Sequence, residues 1–77
     1  MHIGNKIRQT LKEKGHTVVW FANELSCHRT NIYKIFDKPS IDTYDLMRIS
    51  RILDYNFFDY LSNIYEKNKI LPPSHGK

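Results

Sequence analysis

Apolar side chains recur along most of the chain at intervals of three and four residues, which places them on one face of an α-helix. In the first segment Ile3, Ile7 and Leu11 form such a stripe, and polar side chains fill the positions between them. Four later segments repeat the alternation. The pattern predicts five helices, over about residues 3–14, 18–25, 29–36, 43–53 and 57–66.

The residues between these segments are typical of helix ends. Gly15 suits a left-handed cap after the first helix, and Thr17 is a good N-cap for the second. Pro39 disfavours a helical conformation at the residue before it, and Asp42 suits the N-cap of the fourth helix. We therefore expect an all-α chain, a compact five-helix bundle.

Length and composition limit the chain to one small domain. With 77 residues, of which 40% are hydrophobic and 26% charged, the composition is that of a globular protein. We expect one domain over residues 1–66 and a flexible C-terminal tail over residues 67–77, where Pro72 and Pro73 interrupt any stripe. A chain this short has little room for an enclosed catalytic cavity beside its core, which argues against an enzyme.

The expected location follows from what the sequence lacks. No apolar run approaches the roughly 20 residues needed to cross a bilayer. The first residues lack the apolar stretch of a signal peptide. The single cysteine, Cys27, has no second cysteine with which to form an intrachain disulfide. We expect a cytoplasmic protein.

Positive charge is concentrated in the first half of the chain. Residues 1–38 contain seven Lys or Arg and three Asp or Glu, whereas residues 39–77 contain five of each, so the formal charge of +4 belongs to the first half. This asymmetry is typical of a face that meets a polyanion, although charge alone is equally compatible with a solubilising surface.

The second and third predicted helices, joined by a short break at residues 26–28, have the arrangement of a helix-turn-helix. Ala22 is small enough for a second helix to cross close above it, and Leu25, Ile32 and Ile35 fill the wedge between the two. The outer face of the third helix keeps Arg29, Thr30, Tyr33 and Lys34. Arginine can grip guanine through two hydrogen bonds, threonine can touch a thymine methyl group or a phosphate, and lysine can bind guanine or phosphate.

Residues Val18–Phe36, with Phe21-Ala22-x-x-Leu25 followed by Arg29-Thr30-Asn31-Ile32-Tyr33-Lys34-Ile35-Phe36, resemble the lambda-repressor-like helix-turn-helix of the phage Cro/repressor class. The segments 40–53 and 57–61 are similar to the fourth and fifth helices of that family, so the resemblance covers about residues 3–66. It implies that the third helix enters the major groove and that the second meets the DNA backbone. The DNA-binding residues predicted from the motif and the resemblance are Thr17, His28, Arg29, Thr30, Tyr33, Lys34 and Lys38.

Four residues depart from the family pattern. Val18 lies where a glutamine commonly binds phosphate and braces the third helix. Ser26 replaces the usual glycine of the turn, where a left-handed conformation costs serine about 1 kcal/mol. Trp20 stands where an exposed polar residue is typical, which suggests an additional partner for the second helix. His28, in turn, occupies the place of a small capping residue.

The sequence offers no convincing metal or catalytic site. Cys27 and His28 are adjacent, but a structural zinc ion needs four ligands at characteristic spacings, and the other histidines are scattered. Adjacent side chains rarely form a working nucleophile and base, and no glycine-rich loop accompanies them. We predict no catalytic residue, no metal and no cofactor.

Aromatic residues near the C-terminus predict a second interaction surface. Five aromatics within eleven residues are more than so small a monomer is expected to bury, which favours a homodimer; they are Tyr55, Phe57, Phe58, Tyr60 and Tyr65. A two-fold dimer would also match paired DNA half-sites about 34 Å apart.

The function expected is that of a sequence-specific regulator of transcription, a repressor that binds double-stranded DNA as a homodimer. The main alternative is a protein-interaction module on the same scaffold, such as the antitoxin of a toxin–antitoxin pair, with Trp20 and the C-terminal aromatics as its partner surface. RNA binding is disfavoured, because aromatic and basic residues are not interleaved as in a base-stacking platform.

Overall fold

The computed structural model describes residues 1–69, and within this range the regular structure consists of five helices and no strands. Helix α1 spans Ile3–Glu13, α2 spans Val18–Glu24, α3 spans Arg29–Phe36, α4 spans Thr43–Leu53 and α5 spans Phe57–Lys69. The prediction of a compact all-α chain with five helices is confirmed. None of these helices is long and apolar enough to cross a membrane.

All five helices begin at their predicted residues, and at four of them, α1, α2, α4 and α5, a side chain just before the helix accepts a hydrogen bond from an amide of the first turn. Thr17 Oγ1 accepts from the Trp20 amide at 3.0 Å, and Asp42 Oδ1 accepts from the Asp45 amide at 2.8 Å. Asn56 caps α5 in the same way, through the amides of its second and third residues at 3.0 and 3.1 Å. The bonds are local in sequence, which is why the starts were predictable.

Three helices are followed, within two residues of their ends, by a residue with left-handed backbone conformation. Gly15 has φ of 78°, as predicted, and the non-glycine residues Ser26 and Asp54 have φ of 55° and 50°. After α1 the Gly15 amide donates to Lys12 O at 2.9 Å and the His16 amide donates to Leu11 O at 3.2 Å. This pair of bonds satisfies two carbonyl groups that the helix leaves open, and it turns the chain sharply away from the helix axis.

The core lies where the apolar stripes of all five helices meet. Ile7, Phe21, Ile32 and Phe57 are fully buried. Thr10 is the one buried polar side chain among the residues described, and its hydroxyl donates to Lys6 O at 2.7 Å, so the hydroxyl keeps a partner inside the core. The continuous core fixes α2 and α3 against the other three helices.

Helix α5 is longer than its apolar pattern indicates, since it reaches Lys69 instead of residue 66. Its last turn is polar, with Lys67 and Asn68 exposed, so no stripe marks it. Beyond residue 69, the predicted flexible tail lies outside the described residues.

The C-terminal aromatics divide between the core and the surface. Phe57 is fully buried and packs edge to face with half-buried Tyr55, with 4.7 Å between ring centroids. The Lys6 ammonium group lies 5.2 Å from the Tyr55 ring and 4.9 Å from the half-buried Tyr60 ring. Phe58 and Tyr65 remain exposed, by 36% and 63%. One chain therefore buries part of this group, and the homodimer stays a prediction.

Candidate nucleic-acid interface

A short turn from Leu25 to His28 sets α3 at an angle to α2. Ser26 takes the left-handed conformation, its amide donates to Asn23 O at 3.1 Å, and the Cys27 amide donates to Ala22 O at 2.9 Å. The same Ala22 is 4% exposed, as the prediction of a close crossing requires. The left-handed conformation expected at this position is present, and serine adopts it at a higher conformational cost than glycine would.

Helix α3 has one buried and one exposed face. Ile32 is fully buried, Phe36 is 7% exposed, and Ile35 is half-buried at the edge of the core. The predicted outer face is confirmed as exposed over its whole length, with Arg29, Thr30, Tyr33 and Lys34 on it. Four side chains with different hydrogen-bonding groups thus project together from one short helix.

The basic side chains of this face are not engaged by carboxylates. Within the part of the chain that the structure describes, no hydrogen bond or ion pair involves the side chains of Arg29, Lys34 or Lys38. Asp37, at the C-cap of α3, is the one acidic residue between positions 28 and 38. The charged groups are therefore free to bind an anionic partner without first breaking an internal ion pair.

Tyr33 is anchored, although its ring is 53% exposed. The ring packs edge to face against Phe36, with 6.1 Å between centroids. This contact restricts the ring, as an aromatic pair of this geometry does, and directs the phenol away from the core. A restrained phenol can offer one hydroxyl donor and acceptor at a fixed position.

The start of α1 holds the end of α3 in place. The Ile3 amide donates to Pro39 O at 2.9 Å and the Gly4 amide donates to Lys38 O at 2.8 Å. At Gly4 an added Cβ would collide with the backbone oxygens of Phe36 and Ile35. Only glycine allows this approach, and its sole sign in the sequence is a glycine in the first turn of an amphipathic helix.

This contact also determines where Lys38 lies. Its carbonyl group is bound to α1, its amide donates to Ile35 O at 3.0 Å, and its side chain is exposed. The backbone of Lys38, a predicted phosphate contact, is thus held by hydrogen bonds at both its amide and its carbonyl group. Its exposed side chain lies just after the C-terminal end of α3.

Arg48 is a second residue that sequence reasoning missed. It lies on α4, is half-buried, and donates from Nη2 to Leu25 O at 3.4 Å, at the C-terminal end of α2. Its guanidinium carbon also lies 6.0 Å from the centre of the Tyr44 ring. A cation at this position compensates the negative end of the α2 dipole and supports the turn from α4.

Thr17 and Trp20 have partners within the chain. Thr17 caps α2, and its hydroxyl proton remains available for an acceptor such as a phosphate oxygen. The Trp20 ring stacks on His16, with 3.6 Å between centroids and 12° between planes. Trp20 is half-buried and also packs against the core, so the additional partner predicted for α2 is found in part within the chain itself.

His28 stands at the N-cap of α3 but makes no side-chain capping bond. Its imidazole is exposed, and the first amide groups of α3 are not covered by it. The prediction that His28 contacts phosphate is compatible with this placement, since neither ring nitrogen is used in capping.

The seven predicted DNA-binding residues are alike in exposure and differ in their position on the fold. All are exposed, and four of them lie on α3 itself, while Thr17, His28 and Lys38 lie at the start of α2 and at the two ends of α3.

Comparison with protein-family models, with curated proteins and with solved structures finds no match to this chain.

Proposed function

We propose that the chain is a sequence-specific double-stranded DNA-binding regulator, a repressor, in which α2 and α3 form a helix-turn-helix of the lambda-repressor-like type. Helix α3 enters the major groove, and Arg29, Thr30, Tyr33 and Lys34 contact base edges and phosphates. The observation that carries the proposal is the outer face of α3, whose basic side chains are exposed and have no partner among residues 1–69. The turn before this helix and the residues after it are held by bonds to α4 and α1.

The chemistry of this face fits a duplex. An α-helix fits the major groove, where base pairs present distinct patterns of donors, acceptors and methyl groups. Arg29 lies at the first position of α3, the end that points into the groove in this class of motif. Thr17, His28 and Lys38 border the face and fit phosphate contacts, which position the protein but do not distinguish sequences.

The test compares two double variants that lose the same charges from different faces. Arg29→Ala/Lys34→Ala removes one arginine and one lysine from α3, and Arg8→Ala/Lys12→Ala removes the same pair from the exposed side of α1. Duplex binding is measured by fluorescence anisotropy after circular dichroism has shown that both variants fold. We expect the α3 variant to lose at least tenfold more affinity than the α1 variant, because the lost groups contact DNA directly. Equal losses would reject α3 as the interface.

Homodimerisation is part of the proposal. Met47 and Phe58 are exposed by 44% and 36% and border the same shallow depression between α4 and α5 as the half-buried Tyr55. Contact between two copies would cover these apolar groups and supply two recognition helices for a paired site. Sedimentation equilibrium of the chain and of Phe58→Lys tests this: a dimer is expected for the first and a monomer for the second.

A protein-interaction module remains the second candidate, and the exposure of Tyr44 on α4, at 69%, favours it. The two candidates give different results in the same assay. If the chain is an interaction module, the unmodified chain, like both double variants, would show no measurable DNA binding at low salt.

A further inference from the structure

A partly open cavity of about 280 Å³ lies beneath α3, between that helix, the turn after α2, and α4. One part of its wall is apolar: Leu25 and Ile49 are buried, and Cys27, Ile35 and Ile41 are half-buried. The volume is close to the lower limit of small-molecule sites, which are typically about 300–1,000 Å³ and mostly apolar with a few polar groups. The cavity is therefore suited only to a ligand at the small end of this range, with one apolar portion.

Positive charge is collected around this cavity. Lys34, Lys38 and Arg48 line it, and Asp45 is the one acidic residue among its lining side chains. Three cations and one carboxylate leave an excess of two positive charges beside an apolar floor. Because neighbouring like charges repel, an anion bound between them is favoured by each of the three.

Arg48 makes the site more than an accidental gap on the surface. Arg48 is half-buried, and its guanidinium group is held by the bond to the carbonyl oxygen of Leu25, a residue of the cavity wall. This bond uses one of its five N–H groups. Neither lysine has a partner within residues 1–69 that would compete for an anion. The cavity thus combines an apolar floor with a cationic rim, and within residues 1–69 the hydrogen-bond donors of both lysines and most of those of Arg48 have no partner.

We propose that this cavity binds a small amphipathic anion, with a short apolar chain on Leu25, Ile35 and Ile49 and a carboxylate or phosphate head between Lys34, Lys38 and Arg48. DNA phosphates alone do not account for the site, because they would use the lysines and leave the apolar floor empty. If the proposed DNA-binding function holds, such a ligand competes with DNA for Lys34 and Lys38 and releases the protein from its operator.

Binding is tested without DNA, so its outcome does not depend on the proposed function. The ¹⁵N-labelled chain is titrated with octanoate, octyl phosphate and octylammonium, and amide shifts are followed by NMR. We expect saturable shifts for at least one anion, centred on Leu25, Cys27 and Ile41, and at least tenfold weaker binding of the cation. The two anions distinguish a carboxylate from a phosphate head.

Two variants assign the binding to the cavity. Lys34→Gln/Lys38→Gln removes two rim charges from exposed positions and is expected to weaken anion binding about 2- to 30-fold, the range for two exposed ion pairs. Ile41→Phe fills the cavity and keeps the charges, and it is expected to abolish binding if it folds. The proposal is overturned by shifts that do not saturate with either anion, by shifts centred elsewhere, or by octylammonium binding as tightly as the anions.

Discussion

Replacing Gly4 by alanine tests whether the contact between α1 and α3 holds the candidate interface in place. Considered as a helix residue alone, alanine is favoured over glycine by about 1 kcal/mol. The structure predicts the opposite sign, because the new Cβ would collide with the backbone oxygens of Ile35 and Phe36, which cannot rotate away as a side chain would.

The loss of stability can be estimated from the contacts that break when α1 moves away from α3 to relieve the collision. Two hydrogen bonds would be lost, from the amides of Ile3 and Gly4 to Pro39 O and Lys38 O, at about 1 kcal/mol each. Overpacking costs about 1–3 kcal/mol in addition, and the higher helix propensity of alanine offsets about 1 kcal/mol of the loss. The free energy of unfolding should fall by about 2–4 kcal/mol, and Tm by at least about 8 °C for a domain of this size.

Urea unfolding followed by circular dichroism measures this change, and two variants serve as controls. Asn5→Ala changes an exposed side chain in the same turn and is expected to alter stability by no more than about 0.5 kcal/mol. Gly15→Ala meets no atom within 4 Å but must keep φ at 78°, so it should cost about 1 kcal/mol through conformation alone. A Gly4→Ala chain as stable as the parent would show that α1 does not approach α3 this closely.

Three further changes have expected outcomes in the same unfolding assay. Ser26→Gly should stabilise the chain by about 0.5 kcal/mol. It removes the left-handed penalty of about 1–2 kcal/mol, whereas the larger entropy that a glycine backbone loses on folding costs about 0.5–1 kcal/mol. A loss of stability would contradict the left-handed turn. Asp42→Ala removes the N-cap of α4 and should cost about 1 kcal/mol, whereas Asp42→Asn should cost much less. Lys6→Met keeps the approximate length of the side chain but removes its charge from Tyr55 and Tyr60. It should cost about 0.5–1.5 kcal/mol, and an unchanged free energy of unfolding would exclude a cation–π contribution.

The helix pattern was predictable because its determinants are local. Apolar residues spaced three and four apart define the buried faces, and Thr17 and Asp42 cap helices through amides three residues away. The outer face of α3 follows from the same helical spacing, because a helix that buries Ile32 and Phe36 leaves Arg29 and Lys34 exposed on its other side.

Contacts between distant segments were not predictable in this way. Gly4 meets residues more than thirty positions away, and Arg48 reaches the carbonyl of Leu25 across 23 positions. A single sequence shows only that a glycine and an arginine are present. The stack of His16 on Trp20 was missed for a different reason: His16 precedes α2, so the helix pattern did not include it.

The end of α5 shows the limit of the apolar pattern. Its final turn is polar and continues to Lys69 without burying a new stripe, so periodicity stops before the helix does. A helix can continue through its backbone hydrogen bonds beyond its last buried apolar residue, and such a continuation leaves no apolar pattern in the sequence.

The central claim is that the exposed basic face of α3 binds duplex DNA, and the salt dependence of binding tests it most directly. Contacts from Arg29, Lys34 and Lys38 would give a slope of log K against log salt of about −2.7 for each protomer, at about −0.9 for each phosphate neutralised. Between about 50 and 200 mM salt, one protomer should therefore lose about 40-fold in affinity for a random-sequence duplex, and a dimer more. Such a loss, reduced when Arg29 and Lys34 are replaced by alanine, is the result the account predicts. A folded protein that shows no binding to duplex DNA at about 50 mM salt would contradict it.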